Sequence, residues 1–184
     1  GNLNEELEGT VVSIIYESAD GYTVAEIEAE EPTIVVGNMP GLKPGERTRF
    51  FGMFKNHAKY GTQFAVQSYE SALPHDLNDI VLFLAGGFIK GLGEVLATRI
   101  VEEFGEDTFE VIEKDHRELT RIRGVSRRLA DSVHEAMKEY ARKKYVYSDL
   151  MGMGLTARQA TAAAAALGDD AARLVRENPY ILIE

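Results

Sequence analysis

The most constraining stretch of this sequence is a pair of glycines directly before a helical pattern. Residues 89–93 read Ile-Lys-Gly-Leu-Gly, and residues 94–100 continue with apolar side chains at helical spacing. Glycine adopts positive φ angles that other residues avoid, and it lets another backbone approach closely. The stretch, which we call the first glycine turn, therefore predicts a tight turn that opens a helix. We expect both glycines at positive φ, Leu92 packed inside and Lys90 in solvent.

Such a turn exposes backbone N–H groups at the N-terminus of a helix. These groups and the helix dipole together make a site for a phosphate. The turn resembles the hairpin of the helix-hairpin-helix motif, which binds the DNA backbone without regard to base sequence. The first candidate DNA-binding site consists of Lys90, Gly91, Leu92 and Gly93.

The pattern recurs twice along the chain. The second glycine turn is residues 122–126. Residues 124–130, which begin inside this turn, match residues 91–97 at an offset of 33. The third, residues 152–156, contains Gly154 at an offset of 63 from the first, and the match continues along two predicted helices. A match of that length indicates an internal duplication. Because the same offset would begin another turn just beyond Leu182, we expect the chain to be part of a longer protein.

The distribution of charge favours the second glycine turn as a DNA site. The net formal charge of −10 argues against simple nucleic-acid binding, yet it is unevenly spread. Residues 1–116 carry 8 basic and 21 acidic side chains, whereas residues 117–144 carry 9 basic and 4 acidic ones. A charge run alone is often a solvated face, but cations on a phosphate-binding turn favour DNA. The second candidate site consists of Arg121, Arg123, Gly124, Val125, Ser126, Arg127 and Arg128.

Residues 7–69 have a β pattern rather than a helical one. Short β-branched, apolar or alternating segments are separated by glycine and proline turns. The predicted strands are residues 10–16, 22–27, 33–36, 47–54 and 63–69. Five short strands in such a span predict a small barrel of the OB type, which closes its edges.

A basic, aromatic loop lies between the last two predicted strands. The simpler interpretation is a hairpin with Gly61 at positive φ and Tyr60 packed on the barrel rim, and this is the one we prefer. The alternative is that the loop stacks bases and follows a DNA strand, as such loops do on other barrels of this type. Under that alternative the DNA-binding residues are Lys55, Asn56, His57, Lys59 and Tyr60.

The rest of the chain reads as helical after a linker at residues 71–75. Asp76 is expected to cap the first helix. The predicted helices are residues 77–85, 94–104, 106–113, 118–122, 127–145, 147–151, 156–167 and 169–177. Ser126 and Thr156 replace the second glycine of the first turn, and each hydroxyl either caps a helix or reaches a phosphate. We interpret the third copy as mostly scaffold, with Gly154, Thr156 and Arg158 as weaker DNA-binding candidates.

These patterns predict an α+β protein of several domains. The predicted division is an OB-like barrel at residues 1–72, a tandem helix-hairpin-helix domain at 73–146 and a third, degenerate helix-hairpin-helix-like unit at 147–184.

Several kinds of chemistry are not expected in this chain. Without cysteine there is no disulfide or thiolate chemistry, which fits a reducing cytoplasm. The four histidines lack the spacing of metal ligands, so no metal or catalytic residue is predicted. No glycine is followed by lysine, which rules out a G-x-x-x-x-G-K-[ST] phosphate loop. No apolar run of 18 residues and no signal-like N-terminus is present, so we expect a cytoplasmic protein without a membrane partner.

The order of these parts resembles the N-terminal region of RecD-like ATP-dependent DNA helicases of the long type. The resemblance covers nearly the whole chain and is carried by Asn56-His57, Tyr60-Gly61-Thr62-Gln63-Phe64, Gly91-Leu92-Gly93, Phe104-Gly105-Glu106-Asp107 and Arg176-Glu177-Asn178-Pro179-Tyr180. It implies DNA contacts at Lys90–Gly93 and at Arg123–Ser126. It also implies a parent enzyme whose C-terminal superfamily 1 motor moves 5′ to 3′ on single-stranded or forked DNA in repair or recombination. That motor would use ATP and Mg²⁺, whereas no cofactor and no enzymatic activity are expected in this chain itself.

Three other interpretations stay open on the sequence. A junction-binding protein of the RuvA kind also places a barrel before two hairpins. A protein-interaction module whose turns have lost DNA is compatible with the acidic first part of the chain. A hairpin-containing glycosylase would need Asp107 or Asp131 as its catalytic acid, and both residues fit better as helix-start or solvent-facing acids.

Overall fold

The computed structural model describes residues 5–182. Its regular elements follow the predicted change from strands to helices. The described strands are β1 (Glu5–Glu17), β2 (Tyr22–Glu28), β3 (Pro32–Asn38), β4 (Arg47–His57) and β5 (Gly61–Ala72), and the described helices are α1 (Leu77–Leu84), α2 (Glu94–Phe104), α3 (Thr108–Lys114), α4 (Arg127–Gly152), α5 (Ala157–Leu167) and α6 (Ala171–Glu177). Short 3₁₀ turns occupy Gly105–Asp107, His116–Arg121, Gly168–Asp170 and Pro179–Leu182.

The five strands form a closed barrel in the order β1-β2-β3-β5-β4. β1 pairs with both β2 and β4, so it closes the sheet, and β3 and β5 pair in parallel. The alternation in each strand turns one set of side chains inward, where Val11, Ile27, Val35, Phe50 and Phe64 are fully buried. The prediction of an OB-like barrel of five strands is confirmed.

The duplication predicted from the sequence is visible in the backbone. α2, the 3₁₀ turn after it and α3 recur as α5, Gly168–Asp170 and α6, with every boundary displaced by 63 residues. Gly105 and Gly168 end the first helix of each copy with φ of 54° and 66°. The predicted cap of α1 is also present, because the Asp76 carboxylate accepts the N–H groups of Asn78 and Asp79.

One helix boundary was predicted wrongly. Residues 127–145 and 147–151 were expected to form two helices, but α4 runs without a break from Arg127 to Gly152. No glycine or proline interrupts residues 127–151. Val146 and Leu150 are one helical turn apart and are both buried, so packing continues on the same face through the expected break.

The contacts divide the described chain into two compact units. The barrel unit takes in residues 5–42, 47–72 and 143–182, and the helical unit takes in 43–46 and 73–142. Residues after 147 therefore belong with the barrel. α5 contacts β3 and β5, and Ala157 is buried in the barrel core because its small side chain permits a close approach.

The helical unit encloses one carboxylate. Glu46 is only 2% exposed, and its oxygens accept the hydroxyl of Tyr140 and, at 2.6 Å, the N–H of Lys43. The same short segment packs against α1, where a Cβ on Gly45 would lie 2.5 Å from the carbonyl oxygen of Asp79. A buried charge needs such partners. Within residues 5–182 no helix is long and apolar enough to cross a membrane.

Removing the Tyr140 hydroxyl tests the importance of this buried carboxylate. We expect Tyr140→Phe to lower the free energy of unfolding by about 1–3 kcal/mol, because Glu46 would lose a donor that water cannot easily replace. The matched control is Tyr145→Phe on the same helix, where the tyrosine is 71% exposed. Urea denaturation of both variants checks the prediction, and equal losses would contradict it.

Candidate nucleic-acid interface

The first and second glycine turns have the same backbone geometry. The N–H of Leu92 donates to the carbonyl three residues earlier at 3.1 Å, and the N–H of Val125 does the same at 3.0 Å. Gly91 and Gly124 stand between donor and acceptor with φ of 88° and 95°. This is the arrangement of a type II turn, whose third position favours glycine. Leu92 and Val125 are buried, as predicted for the apolar residue of the first turn.

The expectation of positive φ at Gly93 is wrong. Gly93 is the N-cap of α2 with φ −101° and ψ −173°, which is extended backbone. Extended backbone is typical of an N-cap, whose carbonyl accepts the first helical N–H, here that of Ala97 at 2.9 Å. A Cβ on Gly93 would meet nothing within 4 Å. Glycine at this position leaves α2 without a side-chain cap, so its first N–H groups remain available to a ligand.

The hydroxyl of Ser126 takes up the capping role, one of the two roles expected for it. Its hydroxyl accepts the N–H of Leu129 at 3.1 Å, near the start of α4. The side chain is exposed, so the cap lies at the surface of the helical unit.

The structure separates the cations of this region into two groups. Arg121 is held by Glu103 at 2.7 Å and by Glu118 at 3.2 Å, and its guanidinium lies over the ring of Phe104. The other group is exposed, and no described residue forms an ion pair or a hydrogen bond with any of its side chains. This group consists of Lys90, Arg123, Arg127 and Arg128.

Arg99 was not predicted as a site residue, yet it supports the second glycine turn. Its guanidinium donates to the carbonyl of Arg123 at 2.8 Å. A Cβ on Gly124 would lie 2.8 Å from a methyl group of Leu96, so α2 fits closely against the turn. Arg99 and Arg123 are 24 positions apart in the sequence, so a local sequence pattern does not predict their contact.

The third glycine turn has a different hydrogen-bond pattern. Gly154 has φ 97°, and the N–H groups of Gly154 and Leu155 return to carbonyls of the last turns of α4 at 2.9 and 3.3 Å. This is the Schellman ending of a helix. Thr156 and Gln159 then form a capping box at the start of α5, with distances of 2.9 and 3.2 Å. These backbone groups are therefore engaged in ending one helix and starting the next.

The barrel candidates Lys55, Asn56, His57, Lys59 and Tyr60 all lie at the end of the β4–β5 hairpin. Gly61 has φ 79°, as the hairpin interpretation predicts. Tyr60 is 64% exposed rather than packed on the rim, and its ring centroid lies 4.8 Å from that of His57. The Nδ1 atom of His57 accepts the N–H groups of Lys59 and Tyr60 at 3.1 and 3.2 Å, which fixes the hairpin tip.

Arg158 is placed near the acidic turn after β1. A hydrogen bond from the Ser18 hydroxyl lowers the pKa of the exposed Asp20 carboxyl, and the positive charge of Arg158 acts in the same direction. No described residue forms an ion pair with Arg158.

Two histidines that the sequence presented as isolated are stacked. The rings of His116 and His134 are 4.2 Å apart and 17° from parallel, and Asp131 contacts His116 Nε2 at 2.9 Å. Asp131 is thus engaged by a histidine, and Asp107 stands at the start of α3, as expected for a helix-start acid. Within residues 5–182 no three His, Cys, Asp or Glu residues come together as metal ligands.

Comparison with known proteins shows which class of domain the barrel resembles. Residues 4–74 match the family model of the OB-fold domain of the ATP-dependent DNA helicase YrrC. The barrel is thus of a class found in DNA helicases.

A relative is known for nearly the whole chain. The chain is 27% identical to the ATP-dependent RecD2 DNA helicase of Deinococcus radiodurans over 184 positions, which cover 96% of this chain. It spans only 26% of the length of that relative. The two findings together support the interpretation of the chain as an N-terminal region of a RecD-like helicase.

Serine substitutions at two glycines test the turn geometry. Gly124→Ser is expected to lower the free energy of unfolding by about 1–3 kcal/mol, because a side chain at this φ is strained and would overlap Leu96. Gly93→Ser is the matched control and should cost nothing measurable, because serine is a preferred N-cap and the space is open. Urea denaturation measures both, and a larger loss for Gly93→Ser would contradict the geometry.

Proposed function

We propose that this chain is a sequence-independent DNA-binding accessory region of a RecD-like ATP-dependent DNA helicase that acts in DNA repair or recombination. The observation that carries the proposal is the pair of glycine turns with one hydrogen-bond geometry, flanked by exposed cations without acidic partners. The relation to two DNA helicases supports it.

The first and second turns would bind the phosphate backbone. Each presents N–H groups at a helix start, and phosphate oxygens accept such groups well. Lys90 beside the first turn, and Arg123, Arg127 and Arg128 beside the second, would add positive charge without reading bases. We propose that Arg121 contributes less than the other arginines, because two carboxylates already hold it. In this proposal the helix-hairpin-helix motif occurs twice in functional form and once, at the third turn, as scaffold.

The acidic composition predicts the character of the binding. Repulsion from the many carboxylates is weakened beyond a Debye length of roughly 8 Å at physiological salt. The cations of the turns would lie close to a bound phosphate, so salt screens their attraction to it less than it screens the repulsion from distant carboxylates. Binding should therefore be weak, independent of base sequence and sensitive to salt.

In the parent protein the chain would hold DNA while a C-terminal motor moves 5′ to 3′ on a single strand. ATP and Mg²⁺ would belong to that motor, since this chain contains no glycine followed by lysine and thus no phosphate loop. No step of ATP hydrolysis is assigned to these residues.

A junction-binding function of the RuvA kind is the second candidate. It shares the order of barrel and hairpins, but the matching family model and the relative described above are of DNA helicases. Size measurement on four-way junctions distinguishes the two, because a junction binder of that kind assembles as a tetramer on its substrate.

Charge reversal at the second turn tests the site. The variant Arg123→Glu, Arg127→Glu, Arg128→Glu should lose nearly all duplex binding and most of its salt dependence, since each phosphate contact contributes about −0.9 to the log–log salt slope. Fluorescence anisotropy with duplexes of unrelated sequence, measured over a range of salt, gives both quantities.

The control is a triple with the same change in net charge, Lys114→Glu, Arg173→Glu, Arg176→Glu. These cations are each held by an acid of α3 or α4 or of the segment from Asp170 to Glu177, and none of them belongs to a glycine turn. Equal loss in the two triples would mean that net charge alone governs binding, and the site assignment would then be wrong.

A second prediction concerns activity. The purified chain should neither bind nor hydrolyse ATP, with or without DNA. Phosphate release stimulated by DNA above that of a mock preparation would contradict it.

A further inference from the structure

The outward surface of β1, β2 and β3 carries a row of apolar side chains. β2 alternates between buried and outward side chains, and Tyr22 and Val24 belong to the outward set. Val24 lies directly opposite Tyr16 on β1 and opposite Val36 on β3. Among the described elements only the neighbouring strands β1 and β3 pack extensively on β2. We call this surface, which is centred on the four residues just named, the β1–β3 face.

The aromatic residues of this face are accessible to a ligand. Tyr16 is 55% exposed and Tyr22 is 42% exposed, and both lie beside the turn that joins β1 to β2. Ile15, which is 57% exposed, stands next to Tyr16 at a shift in the pairing register of β1. Such a shift marks a β-bulge, which re-aims side chains. An exposed apolar surface rimmed by polar groups is characteristic of a site that binds another protein.

The charges on the three strands of this face all have one sign. Residues 5–42, which contain β1, β2 and β3, carry nine acidic and no basic side chains. On β2 the outward series continues from the two apolar positions to Glu26 and Glu28. The acids of β2 and of the turns on either side of it form no ion pair with a described residue. Arg158 acts on Asp20, in one of these turns, without reaching ion-pair distance. The apolar row is therefore bordered by carboxylates that are not neutralised by ion pairs.

We propose that the β1–β3 face binds a basic amphipathic helix of a partner protein. Apolar side chains of that helix would pack on Tyr16, Val24 and Val36, and lysines or arginines beside them would lie near Glu26 and Glu28. The barrel is closed, so it offers no strand edge to which a peptide could add. A helix suits the spacing, because its turns of about 5.4 Å are close to the separation of roughly 4.8 Å between neighbouring strands.

Single-stranded DNA and a second copy of the chain fit this face less well. Exposed tyrosines of a barrel can stack bases, but a bound strand would also bring phosphates to three strands that carry acids and no cation. Two copies joined symmetrically through this face would bring like charges together, since such a contact uses the same surface twice. A basic helix meets both the apolar and the acidic requirement. None of these residues belongs to a glycine turn, so the inference goes beyond the function proposed above.

The test uses the whole chain and a fluorescent peptide in which Leu-Lys-Lys-Leu-Leu-Lys-Leu is written twice. As a helix this peptide is about 21 Å long, with leucines on one side and lysines on the other. We expect its affinity to fall about tenfold in the double variant Tyr16→Ser, Tyr22→Ser, because tyrosines at the centre of an interface contribute strongly. The matched control Tyr145→Ser, Tyr180→Ser removes two tyrosines that are 71% and 75% exposed outside the face, and it should retain the wild-type affinity.

The carboxylates are tested separately with Glu26→Gln, Glu28→Gln. We expect peptide affinity to fall about fivefold at low salt, as for two exposed ion pairs, and the difference should shrink at about 1 M salt, where the Debye length is roughly 3 Å. The control Glu102→Gln, Glu135→Gln makes the same change in net charge at exposed acids of α2 and α4 and should change affinity less than about twofold. If circular dichroism shows that the tyrosine double variant does not fold, this nearly isosteric pair of variants decides the question.

The outcomes separate this inference from the proposed function, because the peptide assay does not involve DNA. If each folded variant of the face binds the peptide as its control does, the β1–β3 face is not a docking surface, whatever the glycine turns do. Equal losses in the two glutamate variants would mean that net charge alone attracts the peptide, which would also overturn the inference.

Two further measurements test the other occupants of this face. If the tyrosine double variant loses affinity for a fluorescent oligothymidylate and keeps affinity for the peptide, the face binds DNA and the inference is wrong. If size measurement shows a dimer of the wild-type chain that the tyrosine double variant abolishes, a second copy occupies the face and the inference is again wrong. We expect neither result.

Discussion

The contact between α2 and the second glycine turn is the interaction on which the helical unit depends most. The guanidinium of Arg99 holds the carbonyl that precedes Gly124, and a methyl group of Leu96 fills the space that a Cβ would need. A turn with positive φ is strained for most residues unless its surroundings select it. Here α2, which follows the first glycine turn, stabilises the conformation of the second glycine turn. As a result α2 holds the second turn in this conformation, while Arg123 itself is exposed to solvent.

The parts that the sequence predicted well are those with a local signal. Alternating strands, the Asp76 cap and the duplicated helices each follow from residues within one or two turns of one another. Gly93 was misassigned because a glycine can serve either positive φ or an extended N-cap, and only the neighbouring hydrogen bonds decide. The break in α4 was wrong because the buried positions of Val146 and Leu150 depend on long-range packing. The association of α5 with the barrel likewise depends on contacts with β3 and β5, which are distant from it in the sequence.

Charge alone would have misplaced the proposed binding surfaces, because ion pairing decides which cations remain available to a ligand. Arg47, Arg49 and Arg121 look as available in the sequence as Arg123 or Lys55. In the structure the first three are held by carboxylates, and surface ion pairs of this kind contribute little stability but reduce the local positive potential. Among the described cations without an acidic partner are those of the first two glycine turns, Lys55 and Arg158. An acidic protein can therefore present two small basic surfaces without a basic composition.

The two copies of the 63-residue duplication show why a shared pattern does not imply a shared function. Their helices and 3₁₀ turns coincide, yet the glycines that precede them have different roles. Gly91 follows an irregular segment, so its turn leaves the N-terminus of α2 uncapped. Gly154 follows the long helix α4, whose last carbonyls need donors, and the N–H groups of the turn are used to end that helix. Thr156 then caps α5, whereas the corresponding residue before α2 is Gly93, which has no side chain to cap the helix. The conformation of the preceding segment, more than the glycine motif itself, therefore decides whether a copy can present its backbone to a phosphate.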